Sequence, residues 1–298
     1  MITPPGVFTL PARSGPGNVI VSPVEQIDDA QPVAHPAPVS YRSMVASPAI
    51  ELCDLTKMLS GRTVLDGVSL SVQKGETMSV IGGSGAGKSV TLKHIVGLMK
   101  PDHGCVKVDG VDVTNTNHGS LEAARRKIGF CFQGSALLNS LTVFENIALP
   151  LREHEKLNEA EIKRRVEEKL ALVGLGNDGH KMTSEISGGM KKRVGLARAI
   201  IRNPEIIVYD EPTAGLDPVM GTAINDLILD MQKKLGVTSV LVTHDMSSAF
   251  RVSNRIAMLL KGRIVKLGTP EEFRTSDDPI VKQFIFGESE GPLTRTPA

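Results

Sequence analysis

An eight-residue run, Gly82-Gly83-Ser84-Gly85-Ala86-Gly87-Lys88-Ser89, constrains this chain more than any other stretch. It fits G-x-x-x-x-G-K-[ST], a loop whose successive backbone N–H groups wrap a polyphosphate. Glycines let the main chain approach the phosphates where a Cβ would clash. In this pattern Lys88 reaches the β- and γ-phosphates, and the Ser89 hydroxyl ligates Mg²⁺. A surface turn can carry the same letters, so the flanks decide. Upstream, Glu76–Ile81 reads as a short apolar strand; downstream of Val90, Leu92, Ile95, Val96 and Met99 recur at helical spacing. Strand, loop and helix in that order put the phosphates on a helix N-terminus, which identifies residues 82–90 as nucleotide-binding.

The rest of the chain alternates in kind. From Glu51, short strands are expected over Glu51–Leu55, Thr63–Leu65 and Val68–Val72, with turns at Ser60-Gly61 and Lys74-Gly75. A turn at Pro101–Gly104 precedes a strand over Cys105–Val108, and Val108-Asp-Gly-Val-Asp112 carries a hairpin signal. Lys127–Phe132 is a further strand ending at Gln133. Asn158 with Glu161 resembles a capping box, opening a helix with Ile162, Val166, Leu170 and Val173 on one face before Gly174 stops it. Ile206–Tyr209 and Ser239–Val242 are continuous apolar runs, as strands buried on both faces of a parallel sheet require. Strands alternating with helices give an α/β class. With no internal repeat and no second phosphate loop, one nucleotide site per chain is expected.

In open α/β sheets the ligand lies at the carboxyl ends of the strands. Tyr209-Asp210-Glu211 closes one buried strand with adjacent carboxylates. Asp210 is placed to hold Mg²⁺, directly or through water, and Glu211 to polarise the attacking water as general base. His244 follows the other buried strand and is a candidate γ-phosphate contact, while Gln133 is a candidate bridge between Mg²⁺ and water. Ile186-Ser187-Gly188-Gly189-Met190 opens a second helix with a glycine pair, another anion-binding N-terminus. One triphosphate hardly needs two, so Ser187 and Gly189 are expected to complete the site of a partner copy in a head-to-tail dimer.

Composition sets bounds. Lys+Arg number 34 against 33 Asp+Glu, which provides no global attraction to nucleic acid, and no nucleic-acid partner is expected. The clusters Arg125-Arg126-Lys127 and Lys191-Lys192-Arg193 read as solvated helix faces. Three scattered cysteines fit a reducing compartment and no metal-type spacing. No apolar run approaches the ~18–20 residues of a membrane span, and the N-terminus is not a secretory signal. Residues 1–47, rich in Pro, Val, Ser and Gly, read as a disordered leader.

Taken in order, the phosphate loop at 82–89, Gln133, the Ser187–Met190 signature, Asp210-Glu211, Ala214-Gly-Leu-Asp217 and His244 resemble the ATPase subunit of an ABC transporter from about Glu51 to Gly268. The resemblance implies an ABC-type P-loop fold, with a mixed sheet core, a β subdomain and an inserted helical subdomain at about 134–188. It implies an ATP-binding domain over 48–270 and a C-terminal extension over 271–298. ATP and Mg²⁺ are the implied cofactors, a homodimer through the ATP sites is implied with Asp217 at its interface, and the helical subdomain grips a membrane permease.

A narrower likeness is carried by Ser135–Leu138, Val143–Asn146, Pro150–His154, Met190 in place of the usual glutamine, Asp278–Phe284 and Gly291-Pro292. These are similar to ATPases of Mla-type systems, which move phospholipid between membranes with an MCE-domain protein and a small regulatory subunit. The implied location is peripheral, on the cytoplasmic face of the inner membrane. Other solutes, or a soluble non-transport ABC role, are the alternatives. Two departures stand out: Leu59 lies where most of the family stacks an aromatic on adenine, and the tail after Gly291 has no aromatic.

Overall fold

A computed structural model describes residues 47–294. The leader expected over 1–47 lies outside the described residues except for its last residue, as do the final four of the chain. In chain order the elements are β1 (Ile50–Leu59), β2 (Arg62–Val72), β3 (Thr77–Ile81), α1 (Lys88–Ile95), β4 (His103–Val108), β5 (Val111–Asp112), α2 (His118–Arg126) and β6 (Ile128–Cys131). Then come α3 (Val143–His154), α4 (Glu159–Leu172), α5 (Gly188–Ile200), β7 (Ile206–Asp210), α6 (Pro218–Leu235), β8 (Thr238–Thr243) and α7 (Met246–Val252). β9 (Arg255–Leu260), β10 (Arg263–Gly268), α8 (Pro270–Arg274) and α9 (Pro279–Phe286) complete the order.

Two sheets result. The smaller is antiparallel, in the order β2-β1-β4-β5; the larger runs β10-β9-β3-β8-β7-β6. Within the larger sheet β9, β3, β8, β7 and β6 are parallel and β10 adds an antiparallel edge, so the sheet is mixed. Both apolar runs read from the sequence are central strands, buried on both faces. Their side chains alternate between two cores. Val208, Val240 and Val242 pack with α1 and the small sheet, against Leu52, Leu65, Leu92 and Ile95. Ile207, Tyr209 and Leu241 pack on the other face with Ile147, Val166, Leu196 and Ile228 from α3–α6. Each such large apolar side chain contributes about 1.5–3 kcal/mol by leaving water.

Tight turns with two left-handed residues fold the hairpins: Ser60-Gly61, Asp109-Gly110 and Lys261-Gly262 each have both φ angles near +50° to +80°. That is the type I′ geometry whose twist matches the flanking strands.

Several local expectations are revised. β2 is one strand, not two, because Gly67 adopts φ +66° and lets the strand continue through a bulge. α1 stops at Ile95, since Gly97 takes φ +67° and Leu98 N bonds back to Lys93 O; Met99 falls outside it. At α4, Asn158 caps Glu161 N at 2.9 Å, but the Glu161 carboxylate turns to Arg164 and Arg165, so only half the box forms. Complete boxes occur instead at Thr142–Glu145 and Thr269–Glu272. The basic clusters are solvated only in part, as at the exposed Arg126. Arg125 donates to Val96 O and Gly97 O, Arg193 to Val173 O, and Lys192 is buried.

Candidate functional site

The phosphate loop leaves the C-terminal end of β3 and enters α1. Two glycines are required by its path. Gly82 (φ +155°) lies so close to the main chain at Leu259 that a Cβ would strike the carbonyl oxygen. Gly87 (φ +107°) caps α1, and a Cβ there would meet Leu65 Cδ2 at 2.7 Å and Val64 O at 2.8 Å. The same approach presses β2 against the loop close to the β1–β2 turn, with Leu59 on the neighbouring strand beside that turn. Gly83, Ser84 and Gly85 form the exposed crest, Ala86 and Gly87 are buried, and Val90 is half-buried against the core. Lys88 Nζ bridges the loop to Gly82 O (2.7 Å) and Gly83 O (3.0 Å). Burial pushes its ammonium below the usual lysine range, opposed by the carboxylates of Glu211 and Asp210.

The strands adjoining β3 bring the other residues in. β8 lies beside it in register and β7 beside β8, so Ile81, Thr243 and Asp210 end at one edge of the sheet. Ser89 Oγ donates to Asp210 Oδ1 at 3.1 Å, joining the loop to the strand-end carboxylate. Burial raises the Asp210 carboxyl above its ordinary value, against the Ser89 bond that lowers it. A hydroxyl and a carboxylate converging on one point are hard oxygen donors of the kind Mg²⁺ prefers. Among the described residues no three His, Cys, Asp or Glu side chains are grouped to hold a metal. Gln133 and phosphate or water oxygens would supply the remaining ligands.

Glu211 has φ +49°, a left-handed conformation uncommon for a residue with a Cβ. Its N–H donates to Val242 O at 2.9 Å, and its buried carboxylate oxygen Oε2 lies 2.8 Å from His244 Nδ1. The turn after β7 thus aims the carboxylate across the strand ends at the imidazole, whose ring is largely exposed. Gln133 lies two residues beyond β6, on the exposed side of that edge, and its main-chain carbonyl accepts from Lys192 Nζ.

The signature residues stand apart from this cluster. Ser187 caps α5, accepting from Met190 N at 3.3 Å; Gly188 and Gly189 form the first turn, and Met190 is half-buried on the second core. Among the described residues, the hydrogen bonds of Ser187 and Met190 stay within that turn. Asp217 is the N-cap of α6, its Oδ1 accepting from Val219 N and Met220 N at 3.0 Å each.

Some residues around the site escape a sequence reading. Lys192 and Arg198 of α5 hold main-chain carbonyls of Gln133, Glu211, Ser135 and Ala136. Arg198 sits amid the apolar pattern Val194-Leu196-Ala197-Ile200, and a lone cation on a buried face was the available signal. Ser248 ties the turn after His244 to α6 by donating to Asp245 Oδ2 (2.5 Å) and accepting from Asn225 Nδ2 (2.8 Å).

The family model "ABC transporter" matches residues 65–214. The probable ribonucleotide transport ATP-binding protein mkl of Mycobacterium tuberculosis is 42% identical over 245 residues, covering 82% of this chain and 68% of mkl. The intermembrane phospholipid transport system ATP-binding protein MlaF of Haemophilus influenzae is 37% identical over 244 residues, 82% of this chain and 92% of MlaF. A solved ATP-binding cassette, dimeric in a post-hydrolysis state with ADP and Pi, matches with TM-score 0.68 and 34% identity over 74% of this chain and 98% of that one. The chain belongs to the ABC transporter family and is an ATP-binding subunit whose ATP hydrolysis is coupled to transport.

Proposed function

We propose that two copies of this chain close head to tail on two ATP molecules and, through a membrane permease, drive phospholipid movement between inner and outer membranes. One observation carries the catalytic half. Asp210 and Glu211 close β7 and His244 follows the adjacent parallel β8, with Glu211 2.8 Å from His244 and Asp210 3.1 Å from Ser89 at the end of the phosphate loop. In this reading the 82–90 segment binds the triphosphate and Lys88 neutralises its β- and γ-oxygens. Ser89, Asp210 and Gln133 hold Mg²⁺, which when bound supplies Lewis-acid charge neutralisation at the phosphates. Glu211 takes the proton of the attacking water, and His244 orients Glu211 and meets the γ-phosphate. Ser187, Gly188, Gly189 and Met190 of the second copy close the site, with Asp217 beside them at the interface. The dimeric state of the solved cassette relative supports this arrangement.

The helical segment at about 134–188 is the permease-gripping subdomain in this reading. An MCE-domain lipid carrier and a small regulatory subunit complete the assembly at the cytoplasmic face of the inner membrane. Support comes from the likeness to MlaF and from the subgroup residues: Met190 after the glycine pair, Pro150 within α3, and α9 over Pro279–Phe286. A second reading, another solute as cargo, is supported by the likeness to mkl, which is named for ribonucleotide transport.

Glu211→Gln tests the catalytic half. The amide keeps the length and the bond to His244 but is no base, so turnover is expected to fall about 10²–10⁴-fold. ATP binding persists, and an ATP-bound dimer accumulates on gel filtration with light scattering. Near-normal turnover overturns the base assignment. Cargo is tested by reconstituting the chain with its permease and MCE protein and following fluorescent phospholipid between vesicles. ATP-dependent transfer lost in Lys88→Ala supports the lipid reading; ATPase activity without transfer overturns it and leaves the catalytic half standing.

A further inference from the structure

Lys192 sits in α5, five residues after the capping serine whose turn is expected to face a second copy's ATP. Its side chain runs the other way, into the protein. It is 7% exposed, and its Nζ donates to the main-chain oxygens of Gln133 and, at 3.3 Å, Glu211. These residues leave the neighbouring strands β6 and β7, where Cys131 lies opposite Tyr209. One ammonium therefore ties together the two loops that carry the candidate base and the candidate Mg²⁺–water bridge.

Both loops need restraint. Glu211 holds φ +49°, and Ser135 and Ala136, just past Gln133, hold φ +60° and +45°. Side chains with a Cβ stay in such conformations only when their surroundings fix them. Besides main-chain bonds to Val242 and Phe132, α5 supplies side-chain restraint in each case: Lys192 on Gln133 and Glu211, and Arg198 on Ser135 O (2.5 Å) and Ala136 O (2.8 Å). Packing alone does not call for a cation here. A methionine has nearly the same length and avoids the desolvation that a buried ammonium bears.

We propose that Lys192 is a positioning residue that couples the two ATP sites of the dimer: displacement of α5 by the second copy's ATP is carried through Nζ to the main chain of this copy's Glu211 and Gln133. The inference rests on the two-copy sandwich of the preceding section. Lys192 touches neither nucleotide; it acts by setting where the base and the water bridge stand.

The test uses the full chain with its permease. In the Glu211→Gln background, ATP must first produce a dimer; a persistent monomer removes the sandwich reading and this proposal with it. Given the dimer, turnover is measured against ATP concentration. The wild-type Hill coefficient is expected to approach about 2, the number of sites. In Lys192→Met it is expected to fall to about 1, with kcat down about 10–100-fold and the Kd for a fluorescent ATP analogue within about twofold. Lys192→Arg, which keeps the charge and several donors, recovers cooperativity. A wild-type coefficient of about 1, or one unchanged in Lys192→Met, overturns the coupling role while the sandwich stands. Should Lys192→Met not fold, Lys192→Gln takes its place beside Lys192→Arg, and equal coefficients in the two overturn the proposal.

Discussion

Asn146 offers the stability prediction that the structure specifies most closely. It lies in the second turn of α3 and is completely buried. Its Oδ1 accepts from Leu138 N at 2.8 Å, and its Nδ2 faces Leu138 O, Leu141 O and Thr142 O at 3.1, 3.2 and 2.9 Å. The side chain so replaces secondary structure across the loop between Gln133 and α3. In Asn146→Ala, Leu138 O keeps its bond from Leu141 N, and Thr142 O keeps the one from the residue 146 main chain. Leu138 N loses its only such partner among the described residues, and Leu141 O is left with the bridge that pairs Thr142 with Met182. Stranding a buried polar group costs about 1–3 kcal/mol, and the half-exposed surroundings of Leu138 and Leu141 admit some water, so about 3 kcal/mol in total is expected. For a domain of this size that lowers Tm by roughly 6–12 °C. Asn146→Asp discriminates further. Its carboxylate can accept from Leu138 N but cannot donate, and it would point negative charge at three carbonyls, so it must be worse than alanine. The assay is thermal and guanidinium unfolding of the three proteins, with nucleotide affinity as a control for the intact phosphate loop. An aspartate variant as stable as wild type would falsify the donor role of Nδ2.

Two other outcomes check different parts of the molecule. Ser187→Arg places a bulky cation on the turn expected to meet the other copy's ATP; nucleotide binding by one copy should survive while turnover falls by about 10²-fold or more, the scale of losing positioned contacts. Equal turnover argues against a shared site. Glu145 is held below the ordinary carboxyl range by the main-chain N–H of Thr142 and then by its hydroxyl. Because the folded value is depressed, its contribution is complete above the unfolded value of about 4.3 and fades as pH falls through the folded one. Glu145→Gln keeps the capping geometry without the charge, so its Tm should fall less steeply than wild type between about pH 6 and about pH 3; parallel curves would rule out this source of acid lability.

The parts of the fold legible in the sequence were those where one residue type has one physical use. The phosphate loop is legible because Gly82 and Gly87 leave no room for a Cβ, and the central strands because burial on both faces demands unbroken apolar runs. Asp109-Gly110 announces its turn by the φ angles it must take. Ser89 and Asp210 were each read as Mg²⁺ holders, one from the phosphate-loop pattern and one from its place at a strand end, and the fold brings the start of α1 within 3.1 Å of the end of β7. What escaped were uses that depend on the partner rather than the residue. Glu161 has the spacing of a capping box, yet two arginines three and four residues on compete for its carboxylate and win. Asp217 reads as an interface residue, and its N-cap bonds become visible only when α6 is seen to start at Pro218.

The misread basic clusters have a common cause. Loops leaving the C-terminal ends of parallel strands must be irregular to receive a ligand, and irregular backbone leaves carbonyls without ladder partners. In this molecule helical cations fill that need: Lys88 on Gly82 and Gly83, Lys192 on Gln133 and Glu211, Arg198 on Ser135 and Ala136. Arg125 likewise holds Val96 and Gly97 where α1 ends, away from the site. A carbonyl accepts without carrying a net charge, so each such bond fixes a loop while leaving positive charge beside the site. Carboxylates in these positions would have neutralised that charge and competed with phosphate for the same donors. Cations are the choice that restrains the loops and favours a polyanion together, as Lys88, Lys192 and Arg198 do beside the strand ends of a chain with almost balanced charge.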